Sequence, residues 1–120
     1  TVPTFTASAQ KQLVSKLSDA QVQHLITMDY EVYGVIEALQ PDMNVTHSWE
    51  AISHDKAAAL PSILSYADNK HLIVLEASQP MIYNLRPSPL EISNQANLLN
   101  LETEHISSWT GANLYSITSK

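Results

Sequence analysis

The chain has 120 residues, six basic against twelve acidic, a formal charge of −6 and a hydrophobic fraction of 44%. Such a length suits one domain of ~100–150 residues around one core. Arg86 is the sole arginine, so no cationic stripe is available to track phosphates and nucleic-acid binding is not expected. The absence of cysteine removes disulfides, thiolate nucleophiles and sulfur-bound zinc. The two glycines, Gly34 and Gly111, are too far apart for a phosphate loop.

Ala9, Leu13, Val14 and Leu17 share the face of a helix of about three turns. Ser18 and Asp19 interrupt it, and Ser18 with Gln21 has the spacing of a capping box, which predicts a second helix starting there. Val22, Leu25, Ile26, Val32, Tyr33, Ile36 and Leu39 continue a helical period, with Asp29 on the apolar stripe. A carboxylate is better placed capping a helix start than buried, so a break at Asp29 is expected. Pro41 closes this segment, and Pro41, Asp42 and Asn44 form a turn. Residues 48–59, with Trp49 and Ile52, read as helix, and Pro61 fits the first turn of a further short one carrying Ile63, Leu64 and Ala67.

The second half changes character. Residues 71–77 hold Leu72, Ile73, Val74 and Leu75 in succession, the pattern of a strand buried on both faces. Residues 81–86, with Ile82 and Tyr83, read as its hairpin partner and a candidate edge strand. Pro87 and Pro89 bar a central ladder position. Leu98, Leu101, Glu102, His105, Ile106 and Trp109 fit a helix face ending at Gly111, although the alternation of Leu99, Leu101 and Thr103 also suits a strand. Leu114, Tyr115 and Ile117 mark a final strand over 112–118.

The expectation is therefore a single α+β domain spanning 1–120. A helical cluster over about 6–69 packs on a small, mostly antiparallel sheet within about 70–119. No apolar run approaches the ~18 residues of a membrane span, and no basic, then apolar, then small-residue succession opens the chain as a signal peptide would. A soluble protein is expected, with no membrane partner.

His47, Glu50 and His54 form the sharpest chemical constellation. At offsets of zero, three and seven they fall within about 60° on a helix, where two imidazoles and a carboxylate suit a divalent transition metal. The alternative reading is a solvated polar face, since the spacing matches neither His-Glu-His zinc-helix motif. His24 and Met28 cannot ligate a haem from opposite sides, being one turn apart on a single helix. No serine has elbow glycines or a partnered lysine motif. Asn44, Val45 and Thr46 match the glycosylation sequon. Trp109, Tyr83 and Arg86 are the candidate interface residues, an aromatic at an element end and two positions on the expected edge strand.

Without a catalytic motif, the sequence predicts a non-catalytic protein-binding module (an adaptor, chaperone, inhibitor or assembly component) with a protein partner and no cofactor. Homo-oligomerisation is compatible with it. The alternative is a metal- or small-ligand-binding domain built on His47, Glu50 and His54, with catalysis there as a subsidiary version.

Overall fold

The structure, a computed structural model, describes residues 7–27, 30–47, 56–75, 87–109 and 112–120. Helix α1 (Ala7–Asp19) buries Ala9, Leu13 and Leu17, the face that the apolar spacing marks. Its end explains why Ser18 and Gln21 open no second helix. Gln21 is left-handed at φ 55, and its N–H donates to the Ser18 carbonyl at 3.1 Å while the Val22 N–H donates to the Leu17 carbonyl at 3.0 Å. This pair of bonds is a Schellman stop, with Leu17 and Val22 buried in the same cluster and glutamine where glycine is usual.

The chain then runs straight into β1 (His24–Thr27), a strand inside the stretch read as helix. Helix α2 (Tyr30–Leu39) follows, so the break expected near Asp29 is present, although Asp29 itself lies outside the described residues. The helix ends before Pro41, where the Gln40 N–H still reaches the Ile36 carbonyl at 2.8 Å. Next come β2 (Asn44–His47) and α3 (Lys56–Ser65). Pro61 does not start a separate helix. It lies inside α3, where it has no N–H to offer the carbonyl of Ala57.

Strand β3 (Lys70–Leu75) is buried from Leu72 onward, as the apolar run predicts. Helix α4 (Pro89–Leu98) has Ser88 as N-cap and a full capping box: the Glu91 N–H donates to Ser88 Oγ at 3.2 Å and the Ser88 N–H to Glu91 Oε1 at 3.3 Å. Ser88→Ala is expected to lower stability by about 1 kcal/mol, read as a lower denaturant midpoint at unchanged slope. Residues 101–109 are not helix but strand β4 (Leu101–Trp109), entered through left-handed Asn100 at φ 59, and β5 (Ala112–Ser119) follows two residues later. Gly111, expected at a helix end, lies outside the described residues.

An α+β composition is thus observed, with four helices and one five-stranded sheet among the described residues, but the arrangement differs from that expected. The strand order is β2-β1-β3-β5-β4. Here β1 pairs in parallel with β2 and β3, and β5 pairs antiparallel with β3 and β4. The sheet is mixed rather than mostly antiparallel, and two of its strands come from the half read as helical. Both neighbours of β3 are now identified as β1 and β5, while residues 81–86 lie outside the described residues.

Helices cover both faces. Ala9, Leu13 and Leu17 of α1 and Val32 and Ile36 of α2 pack with Leu25, Ile73, Leu75, Ala112 and Leu114 on one side. Leu60, Ile63 and Leu64 of α3 and Ile92 and Ala96 of α4 pack with Ile26, Leu72, Val74, Tyr115 and Ile117 on the other. The change of face has a physical cause. The connection from β1 to β2 steps one way along the sheet and that from β2 to β3 steps back across β1. Right-handed crossovers then require α2 and α3 on opposite faces.

Candidate functional site

Three features of this scaffold bear on function. The first is the polar network at the amino ends of β1 and β2. His24 faces Asn44 in register, and Ile26 faces Thr46. Strand alternation puts His24, Asn44 and Thr46 on the α3/α4 side, together with Lys70, which precedes Leu72 by two. Asn44 Nδ2 donates to His24 Nδ1 at 3.0 Å, so Nδ1 is unprotonated, and His24 Nε2 donates to Thr46 Oγ1 at 3.0 Å. Both ring nitrogens are thereby used by the neutral imidazole.

Burial pushes the His24 pKa down from the ordinary 6.5, and the Lys70 ammonium adds to the effect. Burial likewise lowers His71. Between those lowered values and 6.5 the unfolded chain binds more protons than the folded one. Their contribution is therefore complete above the unfolded value and is lost as pH falls from there through the lowered folded values. Stability should drop as pH falls below 6.5, and a His24→Gln, His71→Gln double variant should show a shallower drop in urea titrations. An undiminished slope in that variant would contradict the assignment.

The sequon's asparagine is the same Asn44, exposed on edge strand β2 with its amide nitrogen engaged by His24.

The second feature lies across the sheet on β4 and β5. His105 pairs with Tyr115 and Ser107 with Leu114, so Ile106 is an unpaired extra residue, a β-bulge. Residues three apart on a regular strand point to opposite faces, and the bulge reverses this for His105 and Ser108. Ser108 Oγ consequently sits 2.7 Å from His105 Nε2 and donates to Asn113 Oδ1 at 2.7 Å. The His105 ring also lies 5.3 Å from that of Tyr115, tilted by 47°. Since the hydroxyl has one proton and gives it to Asn113, His105 Nε2 must be the donor to Ser108. In this order of donors the serine hydroxyl proton points to Asn113 rather than to the imidazole. The exposed trio is equipped for polar recognition, and sequence reasoning missed it because the bulge has no sequence signature here.

The third feature is α4. It buries Ile92 and Ala96, while Leu90 and Leu98 are 69% and 77% exposed. With ~100° per residue, Leu90, Asn94 and Leu98 form a ridge pointing away from the sheet. Leu99 and Ile106, both part-exposed at 39%, add to the apolar surface of this half of the chain. The signal for α4 was present in Ser88, Pro89 and Glu91, a capping box with proline at its first turn.

Of the candidate metal-site and interface residues singled out from sequence, only His47 and Trp109 fall among the described ones. His47 is the last residue of β2, so it is not on a helix face, and Glu50 and His54 lie outside the described residues, as do Tyr83 and Arg86. Among the described residues no three His, Asp or Glu side chains converge on a point that could hold a metal ion. Trp109 is partly buried against the α1/α2-side cluster, and its Nε1 is buried without a hydrogen-bond partner among the described residues. No described helix is long and apolar enough to cross a membrane.

Comparison with protein-family models and with curated proteins finds no match to this chain.

Proposed function

We propose that this chain is a non-catalytic protein-binding domain that docks its partner on the outward ridge of α4. The observation that carries the reading is the exposure of Leu90 and Leu98 on a helix whose opposite face is fully engaged in the core. Large apolar side chains grouped on an exposed surface mark association sites more often than scattered single ones do. The donor order in the His105, Ser108 and Asn113 trio supports a recognition role over a hydrolytic one.

The test is affinity capture with the wild-type chain and a Leu90→Asp, Leu98→Asp double variant as baits. Retained proteins that the variant loses should then bind wild type when reconstituted from purified components, with α4 shielded from hydroxyl-radical labelling. Identical retention by both baits would contradict the reading.

A second reading, a small-ligand site, is favoured by the strand order. Strands β1 and β3 lie side by side, and the chain leaves them in opposite directions along the sheet. Open sheets with parallel strands bind ligands outside the carboxyl ends at such a reversal. Buried Thr27 ends β1 at this point. The metal version, through His47, Glu50 and His54, predicts bound metal in untagged protein and a thermal shift with added zinc, nickel or iron.

A further inference from the structure

We infer that the outer edge of β4 docks an extended basic segment of a partner protein, which adds antiparallel to the sheet with lysine or arginine at alternate positions facing Glu104 and Glu102. This surface is separate from the α4 ridge and does not depend on it.

The order β2-β1-β3-β5-β4 makes β4 the last strand of the sheet among the described residues. The direction of its free backbone groups follows from one hydrogen bond. Asn100 stands opposite Lys120, one place before the Leu101–Ser119 pair, and the Lys120 N–H donates to the Asn100 carbonyl at 3.1 Å. Opposed residues of an antiparallel pair alternate between bonded and non-bonded. Glu102 and Glu104 therefore bond to β5, whereas Leu101, Thr103 and His105 turn their N–H and carbonyl groups away from it. Leu101 is buried, but residues 102–106 are part-exposed or exposed, so the edge is open from Glu102 to the bulge at Ile106. Thr103 thus offers a donor and an acceptor to an incoming strand, and His105 continues the row up to the bulge.

Side chains decide which strand can pair there. Glu102 and Glu104 lie on the α1/α2 side, because they face Thr118 and Ser116, which keep the alternation of Ala112 and Leu114. Both are exposed, and neither forms an ion pair among the described residues. A second copy of this chain is disfavoured at this edge. In an antiparallel pair centred on Thr103, Glu102 would stand opposite Glu104 of the other copy, and like charges so placed are destabilising. The same two carboxylates select a strand of opposite sign. In the new ladder the residues facing them fall in non-hydrogen-bonded pairs, where side chains approach most closely. The overall charge of −6 draws the same partner from a distance.

The experiment is a nuclear magnetic resonance titration of the isotopically labelled full chain with the capped peptide Val-Lys-Val-Lys-Val. Its central valine is to face Thr103, and its lysines Glu104 and Glu102. So short a strand binds weakly, and the amide signals of residues 102–106 should move progressively as peptide is added. Methylating the nitrogen of the central valine removes the N–H that meets Thr103 and should weaken binding by at least ~10-fold, whereas methylating that of the second lysine, which points to solvent, should change it by less than ~3-fold. A Glu102→Lys, Glu104→Lys double variant, shown to be folded by circular dichroism, should lose at least ~10-fold.

Unmoved signals over 102–106 at the highest attainable peptide concentration would overturn the inference. Equal losses from the two methylations would do so too, since charge alone would then hold the peptide. Equal binding of Val-Glu-Val-Glu-Val would rule out the basic partner.

Discussion

Alanine at Leu72 or at Ile73 is expected to destabilise the protein by about 2–5 kcal/mol each, a large part of a typical ~5–15 kcal/mol total. Both side chains are fully buried on the central strand β3, but they belong to different interiors: Leu72 packs on the α3/α4 side and Ile73 on the α1/α2 side. Their effects should accordingly add to within about 0.5 kcal/mol although the residues are adjacent, since they share no packing partners. Ile73 and Leu114 make the contrasting pair. They stand opposite each other in the β3–β5 ladder and in one cluster, so their alanine double variant should deviate from additivity by about 0.5–3 kcal/mol. Urea denaturation of the single and double variants checks both. Coupling between Leu72 and Ile73 as large as that between Ile73 and Leu114 would contradict a sheet covered on two sides.

The same substitution should have opposite consequences at two positions of α4. Ile92→Asp places a carboxylate among Leu60, Ile63, Leu64 and Leu101 without a partner, a cost of several kcal/mol that a domain of this size cannot absorb. The folded state should be lost at neutral pH. Leu98→Asp, on the outward ridge of the same helix, should change stability by no more than about 0.5 kcal/mol. Circular dichroism melts of the two variants measure the difference. If Leu98→Asp melts as early as Ile92→Asp, the ridge is structural and no longer a docking surface.

The α1 stripe, the buried run of β3, the end of α2 before Pro41 and the final strand were readable, because each has either strong periodicity or unambiguous punctuation. Strand β1 was not. Val22, Leu25 and Ile26 fit the helical spacing that continues to Ile36, and a strand of four residues is too short to show a period of two. The stop that separates it from α1 uses left-handed Gln21, where glycine would have been the readable signal. Strand β4 was left open between helix and strand for a similar reason. Leu98, Leu101 and His105 keep helical spacing across a junction that is broken by left-handed Asn100.

The polar sites were less legible than the fold because parallel pairing joins residues far apart in sequence. His24 meets Thr46 only because β2 lies in register beside β1, and His105 meets Ser108 only through the bulge at Ile106. The leucine ridge of α4 was within reach, since Ser88 and Glu91 fix the helix start and Leu90 and Leu98 then fall opposite Ile92 and Ala96. Reading Pro87 and Pro89 only as obstacles to a strand concealed the helix that Pro89 begins.

The His24 network and both helix layers are oriented by β1 standing as a parallel strand between β2 and β3. Backbone nuclear Overhauser contacts in isotopically labelled protein test this most directly. Cross-strand contacts from Ile26 to both Thr46 and Leu72 are the expected result. Medium-range contacts between residues three apart over 22–27, the mark of a helix, would contradict it.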